Sequence, residues 1–518
     1  MSPLPVVSPE QSEQWDRLAE SAGIELMTLM EVAGRGAATV IAARFPELLA
    51  GGVLVATGTG NNGGDGWVIA RALHRLDLPV WVAALTGTGS TLQLRASALA
   101  QQEGVRLVAP DGPWPAVALI VDAILGTGAR GAPRAAAAAL VERINDLGLP
   151  VVSIDGPTGV DMLTGASHGA SIRARLSVTF GGPRRGHLLA RDETGDLIVI
   201  DIGHPPPMPE WPALMTDLVA AATLPRFHAS DHKGVRGRVV VVGGDAGMSG
   251  AIRLAGRAAF GGGAGLVFAA TSRVTADALV AAEPDLQVRT HSIEGAPSDE
   301  LRALVTQADA LVIGPGLGRG PGKREFVHAL VRNARAVVID ADALVAFAGA
   351  LPELRAAVQD RFAVLTPHPG EFRALFPHLA GEMELDPWAA AASASDEAGC
   401  VVLLKGVPTV VAATGKAIWT LAAGNPGLAT GGSGDILSGL VGALLGQHLD
   451  PVAAASTGAQ ILGRAAELAA RRTTARGLRP MDVVAALPDL WRTWEALLRV
   501  RSIPRPPVLL ELERPLTT

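Results

Sequence analysis

Short, almost wholly apolar runs alternate along the chain with longer stretches in which apolar residues recur every three or four positions. The runs are typical of strands buried on both faces of a parallel sheet, and the longer stretches are typical of the helices that cover it. The strands predicted in the first half are Val53–Ala56, Val80–Leu85, Ala118–Ile124, Pro150–Ile154, Leu176–Phe180 and Leu197–Ile200. Those predicted in the second half are Arg238–Val242, Leu266–Ala269, Ala310–Ile313, Ala336–Asp340, Phe362–Thr366 and Val401–Leu404. This alternation predicts an α/β protein.

The chain is too long for one ordinary core, since it has 518 residues. A proline-rich segment, with four prolines in His204–Pro209, separates the two sets of strands. Such a segment favours neither a helix nor a central strand. We therefore expect two domains, at residues 1–218 and 222–502, with no role assigned to the tail Ile503–Thr518.

Composition excludes several classes of protein. The formal net charge is −6 and no basic stripe is visible, so we expect no nucleic-acid partner. No apolar run approaches the length of about 18 residues that a membrane span needs. Cys400 is the single cysteine, which excludes an intrachain disulfide. We expect a soluble, cytoplasmic protein.

Three loops of the first half follow predicted strands and carry polar groups. Gly58–Gly66 contains Asn61, Asn62 and Asp65 among its glycines and precedes a helix predicted to begin at Trp67. The other two are Val121–Gly131 and Ile154–Asp161. Because the carboxyl ends of parallel strands lie at one edge of a sheet, these loops are expected to form one ligand site.

A glycine-rich turn also opens a helix in the second half, at Gly424–Gly439. Glycines let the backbone approach a ligand, and the first helical turn offers free N–H groups to an anion. Asp435 stands at the mouth of this turn. Either it is a general base for a hydroxyl undergoing phosphorylation, or it merely caps the helix.

These motifs resemble two known families. Gly58–Gly66, Val121–Gly128 and Ile154–Asp161 are similar to NAD(P)H-hydrate epimerases over about Val6–Leu218, and Asn425–Asp435 resembles the signature of ribokinase-like, ADP-dependent NAD(P)H-hydrate dehydratases. Departures from the pattern are Val32 for asparagine, Thr158 for serine and Arg185 for lysine. The resemblance implies a Rossmann-like three-layer domain followed by a ribokinase-like three-layer α/β domain.

The resemblance also implies the activity of a bifunctional NAD(P)H-hydrate repair enzyme. The first domain would interconvert the R- and S-hydrates of NADH and NADPH. The second would dehydrate the S-hydrate at the expense of ADP, giving AMP and phosphate. Phosphate is a far better leaving group than hydroxide, which is the chemical reason for using a kinase fold in a dehydration.

For the epimerase, the resemblance implies Asp155 as the catalytic acid or base and a potassium ion held by Asn62, Asp122 and Thr158. Hydrogen bonds that pin the loops together, and an Asx turn at Asp155, are the alternatives from the residues themselves. The implied substrate contacts are Asn61, Asn62, Gly63, Gly64, Asp65, Gly126, Thr127, Gly128, Ala129, Arg130, Gly131, Ala132 and Asp155.

For the dehydratase, the resemblance implies Asp435 as the general base, with Mg²⁺ as a cofactor. The implied hydrate contacts are Ala251, Gly318, His368 and Asp435, although His368 between two prolines is also compatible with a simple turn residue. The implied ADP contacts are Lys405, Gly406, Val407, Pro408, Thr409, Asn425, Pro426, Gly427, Leu428, Ala429, Thr430, Gly431, Gly432, Ser433 and Gly434. We expect a homo-oligomer whose partners are small molecules: NADHX, NADPHX and ADP.

Two other functions are compatible with parts of the pattern. One is a small-molecule kinase fused to a nucleotide-binding domain, since the glycine-rich turn with its aspartate is shared by such kinases. The other is a non-catalytic binding module in the first half. The residues before that turn argue against the kinase, and the presence of both Asp122 and Asp155 argues against the binding module.

Overall fold

A computed structural model of the chain describes residues 3–499 and 507–517. The chain divides into two compact units. The N-terminal unit comprises Met1–Trp211 and Ser502–Arg514, and the C-terminal unit comprises Pro212–Arg501 and Pro515–Thr518. The division follows Trp211, a few residues before the boundary expected near 218–222.

The N-terminal unit is built on an eight-stranded sheet whose neighbours run parallel, except at one edge. That edge strand, Val508–Leu512, belongs to the tail for which the sequence suggested no role, and it pairs antiparallel with Asp196–Ile200. Tail residues 503–506 lie outside the described residues. In spatial order the strands are Val508–Leu512, Asp196–Ile200, Leu176–Phe180, Val151–Ile154, Leu119–Ala123, Val53–Thr57, Val80–Ala84 and Arg106–Val108.

Helices cover both faces of this sheet. In the central strand, Val53 and Val55 belong to one buried cluster, and the alternating Leu54 and Ala56 belong to another. This alternation is what the two-residue period of a strand requires. The helices are Pro9–Ser21, Leu26–Arg44, Pro46–Leu49, Asn61–His74, Thr91–Gln102, Ala135–Asp146, Arg185–Leu189 and Arg191–Thr194.

Two of these helices correct or qualify the sequence-based expectations. The helix predicted from Trp67 begins six residues earlier, at Asn61, so the asparagines and glycines of the loop form its first turn. Leu26–Arg44 is the one helix among the described residues that is long and apolar enough to cross a membrane. However, 56% of its apolar window is buried inside the unit, where Leu29 and Ile41 join the core.

The C-terminal unit holds a second mixed sheet. Its seven consecutive parallel strands run from Gln287–Thr290 to Val401–Leu404, and a short antiparallel extension that was not predicted follows. In spatial order the strands are Gln287–Thr290, Leu266–Thr271, Arg238–Val242, Ala310–Ile313, Ala336–Ile339, Phe362–Leu365, Val401–Leu404, Thr409–Ala412, Trp419–Leu421 and Ala213–Leu214.

One helix of this unit, Ser433–Gly446, is buried from Ile436 onward and carries Asp435 in its first turn. A side chain at Gly439 would lie 2.1 Å from Ala255 O of the helix Ser249–Gly261, so the glycine permits the close packing that sets the direction of this helix. The other helices are Asp217–Thr223, Arg273–Ala282, Asp299–Thr306, Lys323–Asn333, Ala341–Val345, Leu351–Val358, Pro369–Leu375, Ala380–Leu385, Pro387–Ala398, Pro451–Ala470 and Pro480–Arg499, with 3₁₀ turns at Pro377–Leu379 and Pro426–Leu428.

Candidate active sites

Three neighbouring strand ends of the N-terminal unit bring the expected epimerase residues together. Asn62, Asp122 and Asp155 follow or end the adjacent strands Val53–Thr57, Leu119–Ala123 and Val151–Ile154. Gly126 lies between them, because a Cβ there would be 2.9 Å from Asn62 Cβ and 3.5 Å from Asp155 Oδ2. The site is therefore lined by an amide and two carboxyl groups.

Asp122 is fully buried and accepts hydrogen bonds from two loops. Thr158 donates to it through Oγ1 at 2.7 Å and through its backbone N at 2.9 Å, and Ser153 Oγ donates at 3.0 Å. Burial raises the pKa of Asp122, and the hydrogen bonds from Thr158 act in the opposite direction. The loop-pinning role considered from the sequence is thus present in the structure.

Asn62 differs from its two neighbours because its amide is unsatisfied. The residue is 7% exposed, and within residues 3–499 and 507–517 neither Oδ1 nor Nδ2 has a hydrogen-bond partner. An unpaired buried amide costs free energy, so its oxygen is available to a ligand. The hard oxygen atoms of Asn62, Asp122 and Thr158 suit a cation such as potassium.

Asp155 has a left-handed backbone, with φ of 64°, and its carboxylate is held by groups from other segments. Arg184 Nη2 donates to Oδ1 at 3.0 Å, Thr179 Oγ1 donates to Oδ1 at 3.2 Å, and Thr127 N donates to Oδ2 at 3.3 Å. Burial acts to raise the pKa of Asp155, but Arg184, His187 and the hydrogen bond from Thr127 together outweigh it, so the pKa lies below its ordinary value. Asp155 is therefore an ionised carboxylate at neutral pH.

Sequence reasoning missed the partner of this carboxylate. It noted only Arg185 in the GPRRG segment, as a departure from the lysine usual in the family, whereas the structure directs the preceding Arg184 at Asp155. Arg184 is also fixed by the carbonyl groups of Phe180 and Gly182, at 3.1 and 2.6 Å. A pair of adjacent arginines was the available signal, but nothing local distinguishes which of the two points inward.

The pKa of a second carboxyl group, that of Asp65, is shifted in the direction opposite to that of Asp155. Burial and then the nearby charges of Asp155 and Asp16 raise its pKa well above the ordinary value. One carboxyl group whose pKa is lowered beside one whose pKa is raised is an arrangement suited to acid–base chemistry.

The remaining residues predicted to contact the epimerase substrate are either exposed to solvent or buried against other parts of the protein. Asn61, Gly128, Arg130, Gly131 and Ala132 are exposed, and Arg130 forms an ion pair with Glu10. Gly63 and Gly64 are buried against protein, since side chains there would lie 2.0 Å from Gly58 O and 2.6 Å from Met30 Cε. These two glycines therefore permit close packing at the start of the helix Asn61–His74.

In the C-terminal unit, the glycine-rich turn leads directly into the helix that carries Asp435. Gly432 is the N-cap residue, with φ of 104°, and within the described chain no side chain caps this helix. The alternative role of Asp435 as a helix cap is therefore wrong. Ser433 N donates to Thr430 O at 3.3 Å, and the next N–H groups of the first turn, those of Gly434 and Asp435, are positioned to receive an anion.

Asp435 has a strongly perturbed acidity. Burial, followed by the charge of Asp340, raises the pKa of Asp435 to about 7, and Lys405 acts in the opposite direction. A carboxyl group with a pKa near neutrality accepts and releases protons readily at physiological pH, as a general base must.

Lys405 lies beside this turn in a network of acidic groups. Its Nζ donates to Asp340 Oδ1 at 2.9 Å and lies 3.6 Å from Glu371 Oε2. Burial acts to lower the pKa of Lys405, but Asp340 and Glu371 raise it overall, so the lysine is cationic. Asp340 and its second partner, Ser438, were not identified from the sequence, because they are 98 positions apart in the chain.

The expected hydrate contacts have different environments. Gly318 is buried, with φ of 79°, and its N–H donates to Asp342 Oδ2 at 3.0 Å. Ala251 Cβ lies 3.1 Å from the Cβ position of Gly316, so these loops are adjacent. His368 is exposed and caps the helix Pro369–Leu375 through Nδ1, which is the turn role considered from the sequence.

The expected ADP contacts fall in two segments. In the first, Thr409 Oγ1 donates to Gly406 O at 3.1 Å, and the Val407–Pro408 peptide bond is cis. In the second, the buried Asn425 accepts from Gly427 N at 2.9 Å, and its Nδ2 has no partner among the described residues. The segment Gly431–Gly434 lies at the helix start, where Gly434 approaches Lys405.

The described residues contain no group of three His, Cys, Asp or Glu side chains arranged to hold a metal ion. A separate cavity of about 700 Å³ is lined by Phe260, Trp491 and Trp494. It lies near the C-terminal end of the helix Ser433–Gly446, whereas Asp435 lies at the N-terminal end of that helix. None of the expected site residues lines that cavity.

Comparison with known proteins agrees with both units. The family model described as NAD(P)H-hydrate dehydratase matches residues 239–489, and the model described as YjeF-related protein N-terminus matches residues 26–186. The bifunctional NAD(P)H-hydrate repair enzyme Nnr of Escherichia coli (strain K12) is 37% identical, over 90% of each chain. The enzyme of the same name from Moorella thermoacetica is 36% identical, over 95% of this chain and 97% of the relative.

Solved structures are similar to parts of the chain. An ADP/ATP-dependent NAD(P)H-hydrate dehydratase from Bacillus subtilis, co-crystallised with ATP/Mg²⁺, is 28% identical, with a TM-score of 0.47, and covers 54% of this chain and 97% of its own. The yeast protein YNL200c is 28% identical, with a TM-score of 0.36, and covers 38% of this chain and 88% of its own. With relatives matched over nearly their whole length, this chain belongs to the family of bifunctional NAD(P)H-hydrate repair enzymes.

Proposed function

We propose that the chain restores hydrated NADH and NADPH with one site in each unit. The observation that carries this proposal is the position of Asp435, a carboxyl group with a pKa of about 7 in the first turn of a helix opened by glycines. A carboxyl group of that acidity beside an anion site suits phosphoryl transfer from a nucleotide to a hydroxyl group. ADP is the proposed phosphoryl donor.

At the N-terminal site, the proposed reaction interconverts the R- and S-hydrates. Asp155 is held as a carboxylate with the help of Arg184 and so accepts a proton, and Asp65, whose pKa is raised, is the proposed group that returns one. Asn62, Asp122 and Thr158 would hold potassium. A bound cation there would offset the negative charge of a site lined by carboxyl groups.

At the C-terminal site, Asp435 accepts the proton of the hydroxyl group of the S-hydrate as the hydroxyl oxygen attacks the terminal phosphorus of ADP. The bond between that phosphorus and the bridging oxygen breaks, and AMP leaves. Lys405 and the N–H groups of the glycine-rich turn balance the charge on the phosphoryl oxygens. The carbon–oxygen bond then breaks and phosphate leaves with the bonding electrons. A proton leaves the neighbouring ring carbon to water, and the electron pair of that carbon–hydrogen bond forms the ring double bond of the reduced nicotinamide.

The proposal also covers the substrates, the location, the oligomeric state and the metal ion. We infer small-molecule substrates, the hydrates and ADP, and a cytoplasmic homo-oligomer with Mg²⁺ at the nucleotide phosphates. The hydrate and ADP contacts are those expected from the sequence. Gly63, Gly64 and His368 are the weakest of these, because the described structure gives each of them a packing or capping role.

The decisive experiment supplies the pure protein with a mixture of R- and S-hydrates, with and without ADP, and follows the absorbance of the reduced nicotinamide. Full recovery should need ADP and yield one AMP for each NADH restored. Asp435→Asn should stop recovery while R-to-S conversion continues, and Asp155→Asn should leave only the S-hydrate repaired. A stable phosphorylated product without NADH would instead identify a small-molecule kinase.

A further inference from the structure

A buried carboxylate connects the lysine and the helix of the dehydratase site. Asp340 directly follows the strand Ala336–Ile339, and its side chain is 1% exposed. Its Oδ1 accepts the hydrogen bond from Lys405 Nζ at 2.9 Å, and its Oδ2 accepts one from Ser438 Oγ. Asp340 thus joins three segments that are distant in sequence.

Both partners of Asp340 lie next to the proposed reaction centre. Ser438 is one turn after Asp435 on the same helix, so its hydrogen bond fixes the turn that carries the base. A Cβ at Gly434 would lie 3.4 Å from Lys405 Nζ and 3.7 Å from Asp340 Oδ2. The ammonium group therefore lies against the backbone of the anion-binding turn.

The alternative acceptors of Lys405 show why this contact matters. If Asp340 were neutral, the ammonium would be left with Glu371, at 3.6 Å, and the nearby Asp435. An ammonium paired with Asp435 would stabilise the carboxylate and so weaken it as a base. The same movement would withdraw positive charge from a bound phosphate.

We propose that Asp340 is a positioning residue of the dehydratase, which holds Lys405 against the glycine-rich turn and keeps it from pairing with Asp435. This inference rests on the roles proposed above for Asp435 and Lys405. Asp340 acts through the lysine and through Ser438, and it takes no part in proton transfer itself.

The charges around Asp435 predict a specific signature. The groups that face it are Asp340, Lys405, Asp342 and Glu371, and Asp340 contributes most after burial. Removing the charge of Asp340 lowers the pKa of Asp435, both directly and by releasing Lys405. The acid limb of the dehydration rate then moves to lower pH, which a merely structural residue would not cause.

The experiment compares Asp340→Asn with the wild type in the full chain, with Glu353→Gln as a matched control at an exposed carboxylate of the same unit. The dehydration rate of each preparation is divided by its epimerase activity to correct for the amount of enzyme. We expect kcat for dehydration to fall about 100-fold, with KM for the S-hydrate little changed. We also expect the acid limb to move down by about one pH unit. Unchanged kcat and an unmoved limb would overturn the proposal.

A double-mutant cycle distinguishes a role of Asp340 through Lys405 from a general loss of structure in Asp340→Asn. If Asp340 acts chiefly through Lys405, the double variant Asp340→Asn with Lys405→Met should lose much less activity than the product of the two single losses. Multiplied losses would contradict the proposal. Asp435→Asn distinguishes a failure of the proposed function from a failure of the positioning role of Asp340. Retained dehydration in that variant would reject the proposed function, whereas its loss beside a normal Asp340→Asn would reject only the positioning role.

Discussion

Replacement of Asp435 by asparagine should stabilise the C-terminal unit while it abolishes dehydration. The pKa of Asp435 in the folded chain is about 7, compared with an ordinary value of 3.8. A group whose folded pKa is raised favours folding while it is protonated. That contribution is fully present below the unfolded value and is lost as pH rises through the folded value. At pH 8 the buried carboxylate therefore opposes folding.

The size of the effect follows from the shift. About three pKa units correspond to about 4 kcal/mol, and solvent screening of this half-buried group reduces the expected gain to about 2 kcal/mol. Asparagine has nearly the same shape and no charge, so the variant should be more stable than the wild type at pH 8. The difference should shrink as pH falls from 7 towards 4, where the wild-type carboxyl group becomes protonated.

Amide hydrogen exchange of the helix Ser433–Gly446 is the suitable assay, because this buried helix reports opening of the C-terminal unit. Protection should increase in Asp435→Asn at pH 8 and match the wild type near pH 4, after correction for the intrinsic exchange rate. A variant that is equally or less protected than the wild type at pH 8 would refute the reasoning. A gain that persists near pH 4 would show that removal of the charge is not its cause.

The N-terminal unit yields three further predictions. Arg184→Gln should raise the pKa of Asp155, so the acid limb of epimerisation moves to higher pH, and an unmoved limb would remove Arg184 from the site. Added potassium should partly rescue Asp122→Ala but not Asp155→Asn, and equal rescue of both would leave loop pinning as the better account of Asp122. Gly63→Ala should destabilise the unit by about 1–3 kcal/mol in urea unfolding, because its Cβ would lie 2.0 Å from Gly58 O. Wild-type stability of that variant would contradict the packing role.

The local pattern of apolar and polar residues was sufficient to predict the strands and the glycine-rich turn, because these depend on residues that are close in sequence. The buried runs predicted as strands recur in the structure with shifts of a residue or two, because a strand covered on both faces needs a continuous apolar run. The glycine-rich turn before Asp435 was equally visible, since glycines and an amphipathic run mark a helix start. Parallel order then brings Asn62, Asp122 and Asp155 to one edge without further information.

Tertiary structure alone decided which groups contact one another across the chain. The strand Val508–Leu512 is mostly apolar, but nothing in its residues specifies pairing with Asp196–Ile200, more than 300 residues earlier. Two adjacent arginines look alike in sequence, and only packing directs Arg184 to Asp155. The acidity of Asp435 likewise depends on Asp340 and Lys405, which the sheet brings beside it from separate strand ends. Sequence thus determined the elements and their polar strand ends, whereas burial and long-range charge, which no local pattern encodes, set their chemistry.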